Sequence, residues 1–247
     1  MPGDTRKGRR EFLGTVAAVG CGATLGGIGW AGQALAVGQD QRKPGAPAES
    51  QPAVDIGPNE DLMREHGVLR RVLLVYEECA RRIDEKGEVP PRVLVDAAGL
   101  VRRFVEDYHE RLEEQQLFPR LVKGGKLAAL VEILLEQHQA GRRLTEQVQS
   151  LATAAALKDP EQSRKLAAAL RAFIRMYRPH AAREDTMLFP AFHELLSPQE
   201  YDVLGDQFED QERALFGERG FEKAVEQVAG FEKTLGIEDL GRFTPRA

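Results

Sequence analysis

The sequence predicts an all-α protein, an up-down-up-down four-helix bundle followed by two additional C-terminal helices. Apolar residues recur at steps of three and four from Asn59 onward, which is the period of amphipathic helices. Short connections join these long apolar stripes, so consecutive helices are expected to run antiparallel. The aromatic content of 6% does not favour a large β-sandwich. The formal net charge of −5 gives no reason to expect a nucleic-acid partner.

Residues 1–36 are predicted to be a twin-arginine signal peptide. A basic stretch ends in Arg9–Arg10, and a weakly apolar run follows it through Trp30. Ala34-Leu35-Ala36 then matches an A-x-A cleavage site. We therefore expect an exported protein, periplasmic or extracellular, that uses the twin-arginine translocation machinery and is cleaved after Ala36. An uncleaved membrane anchor and a lipidated Cys21 are the alternatives.

A polar spacer separates this signal from the helices. Residues 37–58 contain four prolines and are predicted to be a flexible linker. Two cysteines in the whole chain cannot form a disulfide framework or a four-thiolate metal site. Only Cys79 remains after cleavage, so packing or a metal must stabilise the mature protein.

Prolines and glycines delimit the helices of the predicted bundle, residues 59–193. The first helix is expected to end at Lys86-Gly87 and the second to begin at Pro90-Pro91, because proline is favoured in a first helical turn. A glycine-containing loop at 123–126 leads into the third helix. The second helix is predicted to end at Pro119, and the fourth to begin at Asp159-Pro160 and end at Pro190. A C-terminal helical extension at 194–247 is expected to contain two helices. The fifth is capped by Ser197-Pro198 and runs to about Phe216, and the sixth runs from about Phe221 to Leu235.

Four of the five histidines lie on core-facing stripes, one on each long helix. His66 and His109 lie at nearly equal distances before and after a turn near Glu88. His109 and His138 flank the second turn in the same way, and His138 and His180 flank the third. A single buried histidine is more often a hydrogen-bonded core residue than a ligand. Here, however, equal distances from the turns place four imidazoles in one layer, which is costly to desolvate without a metal.

Two glutamates reinforce this interpretation. Glu113 follows His109 by four residues and Glu184 follows His180 by four, so each pair shares one helical face at about 6 Å along the axis. The second and fourth helices lie diagonally in such a bundle, and the two carboxylates are expected to approach from opposite sides and bridge two ions. Buried carboxylates need a positive partner. The candidate metal ligands are His66, His109, Glu113, His138, His180 and Glu184.

An internal repeat contains most of these ligands. The segment 109–119 has the pattern His-x-x-x-Glu-x-x-x-Leu-Phe-Pro, and the same pattern recurs at 180–190. Almost the same interval separates His66 from His138. Each half therefore contributes two histidines and one glutamate, which indicates a duplicated helical hairpin.

These motifs resemble the hemerythrin-like, HHE cation-binding family over roughly Asn59 to His193. The resemblance implies two non-haem iron ions, bridged by carboxylates and an oxo or hydroxo group. Carried over residue by residue, it assigns the ligands as follows: His66 and His109 serve one iron, His138 and His180 serve the other, and Glu113 and Glu184 bridge them. Imidazole and carboxylate ligands also suit manganese, and zinc is a further alternative.

The sequence departs from the oxygen-carrying hemerythrins at Arg142. The resemblance places a further histidine there, four residues after the third-helix histidine, and a guanidinium cannot ligate a metal. We expect a more open centre that binds oxygen, peroxide or nitric oxide rather than carrying oxygen reversibly. Tyr108 and Tyr177 border the histidine layer and are candidates for hydrogen bonds to the ligands. Glu110 is expected to face solvent, and His193 is interpreted as a surface residue.

Three functions are consistent with this interpretation of the sequence. The first is an exported di-iron protein that binds, senses or detoxifies a small oxidant, or holds iron. The second is an oxidoreductase that turns over peroxide or nitric oxide at the same centre, although the sequence identifies no catalytic residue or electron-donor motif. The third is a metal-free helical interaction module, which would purify without stoichiometric metal.

Overall fold

A computed structural model describes residues 56–245, and every regular element within this range is helical. The predicted all-α class is confirmed. The predicted signal at 1–36 lies outside the described residues, as does all of the predicted linker except its last three residues. Of these, Pro58 already begins the first helix. None of the helices between residues 56 and 245 is both long enough and apolar enough to cross a membrane.

The described chain contains long helices, two of which are built from several segments. Helix α1 spans Pro58–Asp84, α3 spans Ala128–Leu151, α4 is the short helix Ala154–Lys158, α6 spans Pro198–Phe216, and α7 spans Gly220–Leu235. Helix α2 runs through Pro91–Leu100, Val101–His109, Glu110–Leu112, Glu113–Leu117 and Phe118–Lys123, and α5 runs through Pro160–Arg183, Glu184–Leu188 and Phe189–His193. A 3₁₀ turn at Leu240–Phe243 follows α7.

Two helix starts form as the sequence indicates. The side chain of Asp159 accepts hydrogen bonds from the backbone N–H groups of the first turn of α5, with Pro160 as the first helical residue. Ser197 and Glu200 form a reciprocal capping box at the start of α6.

Two predicted helix ends are wrong, because Pro119 and Pro190 do not stop α2 and α5. Each proline follows a π-helical turn, at Glu113–Leu117 in α2 and at Glu184–Leu188 in α5. The backbone N–H of the phenylalanine before each proline bonds five residues back, instead of four. This extra residue puts each proline in the first turn of a new α-helical segment, where its missing N–H is not needed.

The long helices pack side by side around a common interior. Helix α1 packs against α5 and α2, and α3 packs against the same two helices. Helix α7 lies on α1 and α2, and α6 contacts α1 and α7. The enclosed residues are mainly aliphatic and aromatic, but a group of buried histidines and carboxylates interrupts them. That group contains the site.

Candidate metal centre

The structure brings all six predicted ligands together. His66, His109 and Glu113 present ligand atoms that lie within 4.8 Å of one another, and His138, His180 and Glu184 do the same. All six side chains are buried, with at most 3% exposure. The groups correspond to the two halves of the internal repeat, each with two imidazoles and one carboxylate.

The four imidazoles direct Nε2 toward the shared interior. The Nε2 atoms of His66 and His109 lie 3.1 Å apart. Glu184 places one oxygen 3.1 Å from Nε2 of His180 and the other 3.3 Å from Nε2 of His66. Nε2 of His138 also lies 3.9 Å from this carboxylate, so histidines from both halves of the repeat surround it.

Glu113 occupies the equivalent position on the opposite side. Its Oε1 lies 3.7 Å from Nε2 of His109, and its Oε2 lies 3.5 Å from Nε2 of His138. Both glutamates therefore lie between the two groups, each with one oxygen toward either half. This is the arrangement that a carboxylate bridging two cations requires.

Each imidazole is held from behind by an acceptor oxygen at Nδ1. The Nδ1–H groups donate as follows: His66 to Asp185 at 2.6 Å, His109 to Glu65 at 2.6 Å, His138 to Glu114 at 3.0 Å, and His180 to Gln137 at 2.8 Å. A proton on Nδ1 leaves the lone pair on Nε2, which faces the centre. Histidines that bind metals are commonly oriented in this way.

The sequence analysis missed these four acceptors, although the repeat contains a signal for them. Glu65 and Gln137 come directly before His66 and His138, and Glu114 and Asp185 come directly after Glu113 and Glu184. The acceptors are therefore related by the same internal repeat as the ligands. The acceptors of the two halves differ in functional group at one position, where Glu65 is a carboxylate and Gln137 is an amide.

Phenylalanines of the repeated Leu-Phe-Pro motif pack against two of the imidazoles. Phe118 stacks on His138 with ring centroids 5.6 Å apart, and Phe189 stacks on His66 at 5.5 Å. Both phenylalanines are almost completely buried. The motif thus fixes the ring planes of the α1 and α3 histidines.

Burial and mutual charge govern protonation in the centre. Burial, together with the nearby charge of Glu184, raises the pKa of the Glu113 carboxyl well above its usual range. Burial also opposes ionisation of Glu184, but His180 and His66 outweigh it and hold the pKa of that carboxyl well below its usual range. Burial lowers the pKa of His109, which favours the neutral imidazole that a metal requires.

Buried polar atoms without hydrogen-bond partners indicate that the site fits cations. Both carboxylate oxygens of Glu113 and of Glu184, and Nε2 of His138, are buried without a hydrogen-bond partner. Buried acceptors of this kind are rare in folded proteins because each costs about 1–3 kcal/mol. Five such atoms facing one another are satisfied together by cations that bind imidazole nitrogen and carboxylate oxygen.

Arg142 does not enter the centre. Its Nη2 lies 2.8 Å from Oε1 of Glu114 and 3.0 Å from Oε2 of Glu110. Glu114 in turn accepts from Nδ1 of His138, so Arg142 supports a ligand histidine from outside. The predicted exposure of Glu110 is wrong: only 1% of it is exposed, because Arg142 and the hydroxyl of Tyr177 provide partners inside the fold.

The remaining sequence candidates lie beside the centre. The Tyr177 hydroxyl donates to Glu110 at 2.6 Å and therefore contacts none of the six candidate ligands by hydrogen bond. Tyr108 is fully buried beside Glu65, the carboxylate that accepts from Nδ1 of His109. His193 is exposed, as expected, and its ring stacks on Tyr201.

The fold and site define a helical bundle whose buried histidines and glutamates form two groups that could hold metal ions. The model of the hemerythrin HHE cation-binding domain matches residues 57–217, and the chain belongs to this family. Uncharacterized proteins of Mycobacterium bovis and Mycobacterium tuberculosis are each 49% identical to it over 186 residues, covering 75% of this chain and 73% of the relative. No solved structure matches the chain significantly.

Proposed function

We propose that this chain is an exported non-haem di-iron protein that binds, senses or detoxifies a small oxidant, or holds iron. Helices α1, α2, α3 and α5 form its up-down-up-down bundle, and α6 and α7 are the two additional helices. The candidate small ligands are oxygen, peroxide and nitric oxide. Membership of the HHE family and the two ligand groups support metal binding as its basis.

One observation carries the proposal: four imidazole Nε2 atoms face one shared interior together with the four carboxylate oxygens of Glu113 and Glu184, which are buried without hydrogen-bond partners. In this assignment His66 and His109 bind one iron, and His138 and His180 bind the other. Glu113 and Glu184 each present one oxygen to either group, so they hold the pair together. Mixed imidazole and carboxylate donors favour iron or manganese.

The position of Arg142 favours oxidant chemistry over reversible oxygen carriage. A bound pair of irons supplies redox chemistry and open coordination positions. Arg142 is turned toward Glu110 and Glu114, so it adds no nitrogen ligand. The same observation supports the second candidate, an oxidoreductase that turns over peroxide or nitric oxide.

Export is the other part of the proposal. The basic stretch that ends in Arg9–Arg10 and the A-x-A motif that ends at Ala36 support it. The twin-arginine route carries folded proteins, which is consistent with metal loading before export.

Metal analysis tests the proposed centre directly. Full-length protein purified aerobically should contain two irons per chain and show the charge-transfer absorption of an oxygen-bridged iron pair. His109→Ala should lose most of the iron and the absorption, because it removes one of four imidazoles. His193→Ala is the matched control and should keep both, since His193 lies on the surface.

Other metal contents would overturn the proposal in distinct ways. A single zinc per chain would exclude the di-iron assignment. Absence of stoichiometric metal, with His109→Ala and native protein equally stable, would instead support the helical interaction module.

A further inference from the structure

Both halves of the candidate centre contain an arginine behind one of the carboxylates that accept from Nδ1. Arg142 on α3 and Arg70 on α1 each come four residues after a candidate ligand histidine. Arg142 pairs with Glu114 at 2.8 Å, and Arg70 pairs with Asp185 in the same way. The internal repeat therefore includes a unit of arginine, carboxylate and imidazole in each half.

Glu110 makes the two halves different beyond this shared unit. At the interval of the internal repeat its counterpart is Ala181, which carries no charge. Nη2 of Arg142 lies 3.0 Å from Oε2 of Glu110, and only 17% of the Arg142 side chain is exposed. Arg70 has no second carboxylate partner within the described part of the chain, and 47% of its side chain is exposed. The arginine of the His138–His180 group is therefore held by two carboxylates, and the other arginine by one.

Arg142 connects Glu110 to His138. Its Nη2 also lies 2.8 Å from Oε1 of Glu114, and that same oxygen accepts from Nδ1 of His138 at 3.0 Å. The carboxylates of Glu110 and Glu114 approach within 4.8 Å of each other, and Arg142 supplies the positive charge that this requires. Hydrogen bonds between charged groups are about twice as strong as those between neutral groups. With both carboxylates bound, the guanidinium has one favourable position, which keeps Glu114 on Nδ1 of His138.

Tyr177 connects Glu110 to the other imidazole of the group, that of His180. Its hydroxyl donates to Oε1 of Glu110 at 2.6 Å. Its ring packs edge-on against the His180 imidazole, with ring centroids 5.2 Å apart. The hydroxyl also lies so close to the backbone of Gly141 that an added Cβ atom would be 2.0 Å from it. The hydrogen bond and this packing fix the Tyr177 ring, which in turn limits rotation of the His180 imidazole.

We propose that Glu110 is a positioning residue for the iron that the His138–His180 group would hold. Through Tyr177 it fixes one imidazole of this group, and through Arg142 it fixes the other, so that both Nε2 atoms stay directed at the same metal ion. The inference rests on the proposed di-iron function and adds a residue outside the six candidate ligands. The His66–His109 group has no counterpart of Glu110, so loss of this carboxylate should affect one iron more than the other.

Removal of iron by a chelator tests this role. Full-length native protein and Glu110→Gln are loaded with iron, and the iron that remains bound is measured at increasing chelator concentration. The substitution keeps the shape of the side chain but removes the charge that Arg142 faces. We expect Glu110→Gln to lose its first iron at a chelator concentration about tenfold lower or more, as is usual when a contact behind a metal-binding histidine is changed.

Mössbauer spectroscopy of the iron-loaded proteins identifies which part of the centre changes. Glu110→Gln should alter the signal of one iron and leave that of the other as in the native protein. Tyr177→Phe removes only the hydroxyl and should change the same signal by a smaller amount. This variant carries the test if Glu110→Gln does not fold. Glu132→Gln, an exposed change on α3, should leave both measurements unaltered.

Three outcomes would contradict the inference, and they differ from one another. Native protein that holds two irons, with the same chelator curve and spectrum as both site variants, would overturn the role of Glu110 and leave the proposed function intact. An equal change at both irons, together with a lower free energy of unfolding, would mean that Glu110 only stabilises the fold. Native protein without iron would overturn the proposed function itself, and the inference with it.

Discussion

At the scale of single residues, the candidate site consists of six candidate ligands and four side chains that orient the histidines through Nδ1. The six share residue types typical of metal ligands and a fixed spacing in the repeat. The four acceptors at Nδ1 are ordinary polar residues, and their histidines lie on other helices. Asp185, for example, is 119 residues from His66. Such pairing depends on the rotation of neighbouring helices, which periodicity does not determine.

The amide of Gln137 makes the two halves of the centre chemically different. A carboxylate acceptor polarises an imidazole more strongly than an amide does, because its hydrogen bond is charge-assisted. His109 faces the carboxylate of Glu65, whereas His180 faces Gln137 at the equivalent position. We infer that the imidazoles of the His66–His109 group would donate electron density to a bound metal ion more strongly than those of the His138–His180 group.

Glu114 provides the cleanest test of these outer contacts. Glu114→Gln keeps the shape of the side chain but removes the charge that Nδ1 of His138 and Arg142 both face. We expect iron to be held about tenfold to a hundredfold more weakly, as is usual when the partner of a metal-binding histidine is changed. Competition with a chelator measures this affinity.

Glu132→Gln is the control for this substitution. Glu132 is exposed on α3, so this change should leave iron affinity unchanged. If Glu114→Gln retains iron as strongly as the native protein, Glu114 does not orient His138.

At the scale of helices, the sequence predicted the number and order of the long elements better than their regularity. Hydrophobic periodicity located α1, α2, α3 and α5 because their buried faces are long and continuous. The π-helical turns were not predicted, since buried residues at steps of three and four do not distinguish a wider turn from an α-helical one. The Leu-Phe-Pro motifs, taken as helix stops, instead follow these turns and bring Phe118 and Phe189 onto the histidines.

Close packing of α3 against α5 depends on one glycine. A Cβ atom added at Gly141 would lie 2.0 Å from the hydroxyl oxygen of Tyr177, which donates to Glu110. Gly141→Ala should therefore displace Tyr177 and lower the free energy of unfolding by about 1–3 kcal/mol, as overpacking of a buried contact usually does. Chemical denaturation measures the change.

Gly230→Ala on α7 should stabilise the protein, in contrast to Gly141→Ala. Gly230 is exposed in a helix, and a Cβ there would contact nothing within 4 Å. Alanine should raise the free energy of unfolding by about 0.5–1 kcal/mol, because it restricts the unfolded chain and favours helix. Equal effects of the two alanines would show that α3 and α5 are not closely packed at Gly141.

At the scale of the whole molecule, helix α7 is attached to the bundle by an ion pair and a hydrogen bond as well as by apolar contacts. Arg71 of α1 donates through Nε to Glu232 of α7 at 2.9 Å. Arg82 of α1 donates to the last carbonyl of α7, that of Leu235, and its own Nε bonds Glu78. The sequence predicted two helices in this region but gave no partner for them, because these contacts join residues far apart in the chain.

The ionised Glu78 at the junction of α1 and α7 should make the free energy of unfolding depend on pH below about 4.5. Hydrogen bonds from Arg81 and Arg82 lower the pKa of Glu78 from 4.5 to about 2. A carboxyl whose pKa is lowered in the folded state makes its full contribution to stability when the pH is above its pKa in the unfolded state. This contribution is lost as the pH falls from about 4.5 to about 2. Glu78→Gln should cost about 1 kcal/mol at neutral pH, a modest figure because Arg81 is half exposed and solvent screens the pair.

The difference between native protein and Glu78→Gln should therefore shrink toward zero as the pH approaches 2. Denaturant unfolding measured at intervals between pH 7 and pH 2 checks both the size and the direction of the change. Glu77→Gln serves as control, because the ion pair of Glu77 with Arg178 is about half exposed on both sides and contributes little. A pH-independent difference between native protein and Glu78→Gln would mean that the charge of Glu78 does not stabilise the junction of α1 and α7, and that Arg82 holds Leu235 without it.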